Sequence, residues 1–317
     1  MYTAAIIGAG QLGSRHLQGL KTASLPFKIW VMDKSEESLN IAKQRYDQVA
    51  AIGDKDIDFV QDISQLPEEL DFVVVATGSK PRAAIVKGLL NHSHVKNMIL
   101  EKVLFPRLED YDQIGKLINE KGVKCWVNCA RRMFGVYHQV KDALSGAPFE
   151  MKYVGTEWGL CCNSIHIIDL FMLFSGEEEY TLDTTGLISV IEDSKRNGYI
   201  EFYGTLKIRT PKGSTLILTC SKEVVEKNLC VRIKNEEKYI EIDEANSLLS
   251  INGKQTQFRL PYQSETTGTY ADMIIKMGHI SLSTFEKSVN YHKEFISKML
   301  EFYNSLLETK TDLLPIT

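Results

Sequence analysis

The chain has 317 residues, of which 44% are hydrophobic and 25% charged, and its formal net charge is −4. This length suits two domains, because a single core stops growing at about 250–300 residues. The small negative charge gives no basis for binding nucleic acid or an anionic membrane, and no apolar run approaches the roughly 20 residues of a transmembrane helix. No signal peptide opens the sequence, so its six cysteines are expected to be reduced thiols in the cytoplasm, with no metal site.

A glycine-rich turn follows the first predicted strand, which covers residues 3–8. Its glycines have the dinucleotide-binding spacing G-x-G-x-x-G and precede a helix predicted from Ser14 to Lys21. In such a turn the first glycine allows the sharp bend, the second lets the backbone approach a pyrophosphate, and the third lets helix and strand pack closely. The alternative is a glycine turn in some other α/β domain. The residues of the turn that are predicted to bind the cofactor are Gly8, Gly10, Gln11, Leu12 and Gly13.

An acidic residue, Asp33, follows the second predicted strand, over residues 27–32. At this place a carboxylate is expected to accept hydrogen bonds from the adenosine ribose hydroxyls. Because a carboxylate repels a 2′-phosphate, the sequence favours NAD over NADP. NADP remains the second option, since Lys34 and Ser35 would accept that phosphate if Asp33 turned away.

Strands and helices alternate over the first 126 residues, which predicts a doubly wound parallel sheet of the Rossmann type as domain 1–126. The predicted strands cover residues 3–8, 27–32, 57–60, 71–76, 97–101 and 124–128, and the helices between them cover 35–46, 81–91 and 108–121. The second half changes character and predicts an α+β domain, 127–317, built on an open, largely antiparallel sheet. Its helices are expected at 134–145, 163–174, 268–278 and 284–307, and its strands at 151–158, 182–191, 199–209, 214–221, 229–234, 238–242 and 248–251.

A lysine, Lys102, stands at the carboxyl end of the fifth predicted strand. Ligands of open α/β sheets bind outside the carboxyl ends of the strands. A lysine there can hydrogen-bond a substrate hydroxyl and favour its alkoxide-like transition state. The alternative is a solvated surface lysine.

A second cluster lies on a predicted helix, where Cys162, His166 and Asp169 share one face. Histidine suits general acid–base work near neutral pH, and Asp169 would orient the imidazole. The alternative is a buried histidine capped by a carboxylate within an apolar helix. Nearby, Arg131 and Arg132 either bind an anionic or hydroxyl-rich substrate or are surface charges.

Four segments together resemble the superfamily of glucose–fructose oxidoreductase, inositol dehydrogenase and rhizopine-catabolism oxidoreductases: residues 6–16, 75–77, 101–102 and 166–170. The resemblance implies a Rossmann domain, an α+β domain whose open sheet often joins subunits into a homodimer or homotetramer, and a small sugar-type substrate. It implies that Lys102 is the catalytic lysine and His166 the catalytic-region histidine. Ala76, Thr77 and Glu101 are then expected at the cofactor, and Lys102, Arg132, Asn163 and His166 at the substrate.

The sequence departs from the family pattern at three positions. Val103 replaces the usual proline after the Glu-Lys pair, and Arg82 lies near the place of a histidine that many members carry. Cys162 matches the family's catalytic aspartate, and a neutral thiol does not supply a carboxylate's charge. The sequence therefore predicts an NAD(P)-dependent oxidoreductase acting on a secondary alcohol or ketone of a sugar, sugar derivative or nucleotide sugar. The alternatives are a non-catalytic dinucleotide-binding sensor and a reductase of a non-sugar carbonyl.

Overall fold

The computed structural model describes residues 1–224 and 229–317. The strands are β1 Tyr2–Ile7, β2 Phe27–Met32, β3 Lys55–Val60, β4 Glu69–Leu70, β5 Phe72–Val75, β6 His94–Val95, β7 Asn97–Leu100, β8 Lys124–Val127, β9 Glu150–Thr156, β10 Thr181–Leu187, β11 Glu192–Asp193, β12 Ile200–Glu201, β13 Gly204–Arg209, β14 Thr215–Ser221, β15 Cys230–Lys234, β16 Tyr239–Asp243, β17 Leu248–Ile251 and β18 Lys254–Gln257. The helices are α1 Gln11–Lys21, α2 Glu36–Asp47, α3 Ser79–His92, α4 Leu108–Glu120, α5 Gly135–Leu144, α6 Leu160–Ser175, α7 Gln263–Met277 and α8 Phe285–Ser305. Short 3₁₀ turns lie at Ile63–Gln65 and Ala130–Met133.

The main sheet of the N-terminal half has six parallel strands in the order β3-β2-β1-β5-β7-β8. This is the doubly wound arrangement, so the predicted fold class is confirmed. Strand β5 is buried at every position, as expected of a strand covered on both faces. Because all six strands run the same way, their carboxyl ends meet at one edge of the sheet, which is where the glycine turn and Lys102 lie.

The other large sheet has eight strands in the order β10-β13-β14-β9-β15-β16-β17-β18. All its pairs are antiparallel except β14 with β9, as the predicted largely antiparallel sheet requires. Strand β18 was missed in the sequence because its four residues are polar and exposed. The strand expected over 182–191 ends at Leu187, and the strand expected over 199–209 is divided into β12 and β13.

The chain divides into two compact units, and the division differs from the predicted boundary. The first unit comprises Met1–Phe105, Glu109–Asn128 and Pro261–Phe285, and the second comprises Pro106–Leu108, Cys129–Leu260 and Glu286–Thr317. Helix α7, which the sequence placed in the second domain, therefore belongs to the first unit. In the described part of the chain, no helix combines the length and apolarity needed to span a membrane.

Two glycines explain why α7 joins the first unit. A Cβ on Gly268 of α7 would lie 2.5 Å from the carbonyl oxygen of Gly19 on α1, and a Cβ on Gly19 would lie 2.9 Å from the amide nitrogen of Thr267. Only glycine allows two helices to approach this closely. The sequence predicts this helix from residue 268, whereas α7 begins at Gln263, five residues earlier, and the crossing with α1 was not predicted.

Candidate active site

The glycine turn of the first unit depends on close backbone contacts. Gly8 has a positive φ of 92°, and a Cβ on Gly13 would lie 1.7 Å from the carbonyl oxygen of Gly8. A Cβ on Gly10 would meet nothing within 4 Å. The first and third glycines are therefore required by the protein itself, whereas the second leaves open space at the N-terminus of α1. Backbone N–H groups at such a terminus favour a phosphate.

The carboxylate of Asp33 is held by two backbone amides. Its Oδ2 accepts a hydrogen bond from the N–H of Ala9 at 2.7 Å, and its Oδ1 accepts one from the N–H of Ser35 at 2.9 Å. Ser35 uses its own hydroxyl to accept from the N–H of Ser38 as the N-cap of α2. These contacts keep Asp33 beside the glycine turn and oppose the rotation that the NADP alternative requires.

A cleft of about 510 Å³ lies beside this turn. Apolar side chains from several elements form much of its wall, and two carboxylates and a lysine reach it: Met32, Ile63, Pro81, Ala84 and Ile85, with Asp33, Lys34 and Asp62. The hydroxyl oxygen of Thr77, also in the lining, is buried and has no hydrogen-bond partner among the residues that the structure describes. An apolar wall with a carboxylate and an unsatisfied hydroxyl fits the adenosine half of a dinucleotide.

The remaining residues predicted at the cofactor lie near the same turn. Gln11 and Leu12 form the first turn of α1, where the Gln11 side chain accepts a hydrogen bond from Arg45 at 2.6 Å. Ala76 follows β5 and is half-buried, and its Cβ would lie 3.4 Å from a Cβ on Gly13. The structure therefore brings the predicted cofactor residues of β1, α1, β2 and β5 together at one edge of the sheet.

Glu101 is anchored in a buried polar network. Its Oε1 lies 2.9 Å from Nε2 of His16 and accepts a hydrogen bond from Nδ2 of Asn128 at 2.5 Å. Its Oε2 accepts from the backbone N–H of Lys102 at 3.3 Å. Burial would raise the pKa of Glu101, but His16, Asn128 and the charge of Lys102 outweigh it and hold that pKa below its ordinary value. This network fixes Glu101 beside the backbone of Lys102. The contact of Glu101 with the cofactor stays a prediction.

The network continues into α7. Nδ1 of His16 lies 2.9 Å from the hydroxyl of Thr267, and Nδ2 of Asn128 also donates to Oε1 of Gln263 at 2.9 Å. None of His16, Asn128, Gln263 and Thr267 was identified as a site residue from the sequence. The available signal was His16, which lies within the motif that carries the family resemblance, while the α7 residues follow far along the chain.

A buried arginine, Arg82, holds the loops that carry Thr77 and Lys102. It is 1% exposed, and its guanidinium donates to the backbone carbonyls of Thr77, Val103 and Leu104. Arg82 therefore ties the segment after β5 to the segment after β7. Lys102 itself is half-buried, which excludes the alternative of a freely solvated surface lysine.

In the second unit, α6 is buried almost throughout. Between residues 160 and 174 the accessible side chains are Cys162, Asn163 and His166, and all three are half-buried. Their spacing places them on one side of the helix. The accessible strip of α6 therefore carries a thiol, an amide and an imidazole. Because His166 is half-buried, it is not the fully buried structural histidine of the alternative interpretation.

Asp169 lies one turn further along α6 and pairs with Arg132. Nε of Arg132 donates to Oδ2 of Asp169 at 2.6 Å, and its terminal nitrogen donates to the Asp169 carbonyl at 3.0 Å. Burial would lower the pKa of Arg132, but Asp169 outweighs it and raises that pKa. Arg131 makes a bidentate pair with Glu244, with both distances 2.7 Å. Neither arginine is a solvated surface charge, and the substrate contact of Arg132 stays a prediction.

A carboxylate not identified from the sequence, Glu201, lies at the start of α6. Its Oε2 accepts from the N–H of Cys161 at 2.8 Å and its Oε1 from the N–H of Cys162 at 3.3 Å. Burial raises the pKa of Glu201. Glu201, Cys162 and Asn163 all line a cavity of about 270 Å³. Because Glu201 comes from β12, no local motif links it to α6.

The N-terminal part of the chain is similar to a known oxidoreductase family. Residues 2–129 match the model of an oxidoreductase family with an NAD-binding Rossmann fold. No curated protein matches the sequence. One similar solved structure is UDP-N-acetylglucosamine 3-dehydrogenase from Acidithiobacillus ferrooxidans, with 17% identity over 95% of this chain and 96% of that one and a TM-score of 0.68.

Two further similar structures are a biliverdin reductase and a mutant of Gal80p, neither of which is described as a sugar dehydrogenase. Biliverdin reductase from Synechocystis, in complex with biliverdin and NADP⁺, shares 13% identity over 93% of this chain and 98% of that one, with a TM-score of 0.67. The super-repressor mutant of Gal80p from Saccharomyces cerevisiae shares 14% identity over 95% of both chains, with a TM-score of 0.69. At these identities the likeness shows a common fold.

Proposed function

Because residues 2–129 belong to the NAD-binding oxidoreductase family that includes glucose–fructose oxidoreductase and inositol dehydrogenase, we propose that the chain transfers a hydride between nicotinamide and a secondary alcohol or ketone of a sugar, sugar derivative or nucleotide sugar. The observation that carries the proposal is the anchored Glu101–Lys102 pair at the carboxyl edge of the parallel sheet. The similarity to a nucleotide-sugar dehydrogenase supports the substrate class.

The residues of the first unit fit a dinucleotide. Backbone N–H groups at the start of α1 would hold the pyrophosphate, and Asp33 would accept from the ribose hydroxyls. The hydroxyl of Thr77, buried without a partner in the described chain, would gain a hydrogen bond from the cofactor. When bound, the nicotinamide accepts the hydride during oxidation and returns it during reduction.

We assign one chemical role to a residue of each unit. The ammonium of Lys102, in the first unit, would donate a hydrogen bond to the reacting oxygen and stabilise the negative charge that develops there. His166 would take the hydroxyl proton when the alcohol is oxidised and return it when the ketone is reduced. Arg132 and Asp169, which hold each other, would support the helix face that carries His166.

Cys162, at the start of α6, occupies the position that matches the family's catalytic aspartate, so no carboxylate is present at that position. Glu201 lines the same cavity as Cys162, and burial raises its pKa, so it would supply a carboxyl group that holds a proton more readily than an ordinary glutamate. We therefore assign Glu201 the proton-relay role that Cys162 does not fill.

A non-catalytic sensor is the second candidate, and Cys162 is the observation that favours it. The similarity of fold to Gal80p is compatible with this candidate, and the similarity to biliverdin reductase is compatible with a non-sugar carbonyl substrate. A sensor would bind NADH tightly and would not oxidise or reduce any substrate.

The assembly proposed is a homodimer or homotetramer, as the family resemblance implies. Light scattering of the purified protein tests it. A mass of two or four chains would support the assembly, and the mass of one chain would overturn it.

The proposed reaction is tested by following the absorbance of reduced nicotinamide. Wild type and His166→Gln would be assayed with NAD⁺ and NADP⁺ against polyols, aldoses, uronates and nucleotide sugars, and with NADH and NADPH against the ketones. We expect turnover by wild type and a loss of about 100-fold or more in the variant. Binding of NADH without turnover on any of these substrates would favour the sensor.

A further inference from the structure

The end of strand β3 contributes a second carboxylate to the cofactor cleft. Asp62 lines this cleft together with Asp33 and Lys34. Asp33 follows β2 and Asp62 follows β3, and these two strands are neighbours in the parallel sheet. The two carboxylates therefore reach the same cleft from adjacent strand ends.

Asp62 lies within the electrostatic reach of Lys34. The paired residues of β2 and β3 end with Met32 beside Val60, and the N–H of Asp33 still donates to the carbonyl of Val60 at 3.2 Å. Lys34 and Asp62 each follow their strand by two residues, and both line the same cleft. The charge of Lys34 lowers the pKa of Asp62, which is the effect of a nearby cation.

Asp62 is fixed and ionised where it stands. Its Oδ1 accepts from the N–H of Ser64 at 2.9 Å, and the side chain of Gln65 accepts from the N–H of Asp62 at 3.1 Å. The hydrogen bonds from Ser64, and to a smaller degree the charge of Lys34, hold the pKa of Asp62 below its ordinary value.

We infer that Asp62 is a second determinant of cofactor choice, which offsets the charge of Lys34 and repels a 2′-phosphate. Lys34 is the cation that would bind the 2′-phosphate of NADP in this cleft. The hydrogen bonds from the N–H groups of Ala9 and Ser35 oppose the rotation of Asp33 that would make room for this phosphate. With Asp62 in the lining, the cleft wall carries two carboxylates, Asp33 and Asp62, and one ammonium, Lys34. The inference rests on the proposed function, because it takes this cleft as the adenosine site.

The test compares the dissociation constants of NADH and NADPH for wild type and Asp62→Asn, measured by nicotinamide fluorescence. Asparagine keeps the N-cap hydrogen bond from Ser64, so the variant is expected to fold. We expect NADPH to bind about three- to tenfold more tightly at low salt, with NADH changed by less than about twofold. The gain should shrink at high salt, because exposed charges are screened.

Two further variants make the test specific. Lys34→Gln should cancel the NADPH gain in the Asp62→Asn background, since that gain depends on the released ammonium. Asp47→Asn removes a carboxylate at the exposed end of α2, away from the cleft lining, and should leave the ratio of the two affinities unchanged.

The outcomes separate this inference from the proposed function. If Asp62→Asn changes the ratio no more than Asp47→Asn does, the inference is wrong while the proposed function stands. If wild type binds neither nucleotide, both are wrong. If both nucleotides bind and the Asp62→Asn shift appears but no substrate is turned over, the inference holds and the proposed oxidoreductase function is wrong.

Discussion

The two units hold their candidate site residues in different ways. In the first unit, the candidate site residues are fixed by backbone contacts: Gly13 against Gly8, Asp33 against Ala9, and Glu101 against Lys102. In the second, α6 is a buried helix that presents three half-buried side chains on one strip. The candidate cofactor site is therefore constrained by close packing of the main chain, whereas the candidate residues of α6 are side chains on one face of an otherwise buried helix.

The largest expected effect comes from the turn glycines. Gly13→Ala would place a Cβ 1.7 Å from the Gly8 carbonyl oxygen, so we expect a loss of about 3 kcal/mol or more in the free energy of unfolding and no NADH binding. Gly10→Ala meets no protein atom within 4 Å and should unfold like wild type, yet bind NADH more weakly. Urea unfolding and NADH titration measure both. Equal stability of the two variants would contradict the role of backbone packing.

Glu101 provides the next largest effect. Glu101→Gln breaks a buried pair with His16, so we expect a loss of about 3 kcal/mol in unfolding free energy at neutral pH. The folded-state pKa of Glu101 lies below its ordinary value of 4.5, so its stabilisation is present above pH 4.5 and is lost as the pH falls through the lowered folded-state value.

This pH dependence should be absent in Glu101→Gln. The matched control is Glu109→Gln, an exposed carboxylate in the first turn of α4, which should retain the wild-type acid profile. Urea unfolding at a series of pH values measures the three proteins. An unchanged acid profile in Glu101→Gln would show that the buried carboxylate does not stabilise the first unit.

The next prediction concerns Cys162, one of the three half-buried side chains of α6 in the second unit. Cys162→Asp would put a second carboxylate beside Glu201, and two neighbouring carboxylates do not both ionise readily. We therefore expect the single variant to gain little, and the double variant Cys162→Asp with Glu201→Gln to exceed Glu201→Gln alone by about tenfold in kcat/KM. Nicotinamide absorbance measures both. A full gain in the single variant would show that Glu201 has no part in the proton route.

The smallest effect concerns the ribose contact of the first unit. Asp33→Ala should weaken NADH binding by about tenfold and NADPH binding by less, because the lost carboxylate both binds a 2′-hydroxyl and repels a 2′-phosphate. Fluorescence titration measures both constants, with Asp47→Ala as the control. An equal loss for the two nucleotides would contradict the assignment of NAD.

The sequence was sufficient where the signal is local. The turn from Gly8 to Gly13 and Asp33 follow strands in an order set by the βαβ unit, so the fold class could be predicted from spacing. The cofactor contacts of these residues stay a prediction.

Contacts between distant segments could not be predicted in the same way. Gln263 and Thr267 reach His16 across 247 and 251 residues, and Glu201 reaches the start of α6 from 40 residues away. Pairing of Arg132 with Asp169 likewise joins segments 37 residues apart. No periodicity or motif in one sequence encodes such pairs, because they form only when separate elements pack together.

We propose that Lys102, held beside Glu101 in the first unit, assists hydride transfer. Its most direct test is the turnover of wild type, Lys102→Ala and Lys43→Ala on the substrate that wild type accepts, with NADH binding measured on the same samples. Lys43 is an exposed residue of α2 and serves as the matched control. We predict a loss of about 100-fold or more in kcat for Lys102→Ala, with NADH binding and the control unchanged. Wild-type turnover in Lys102→Ala would contradict the account.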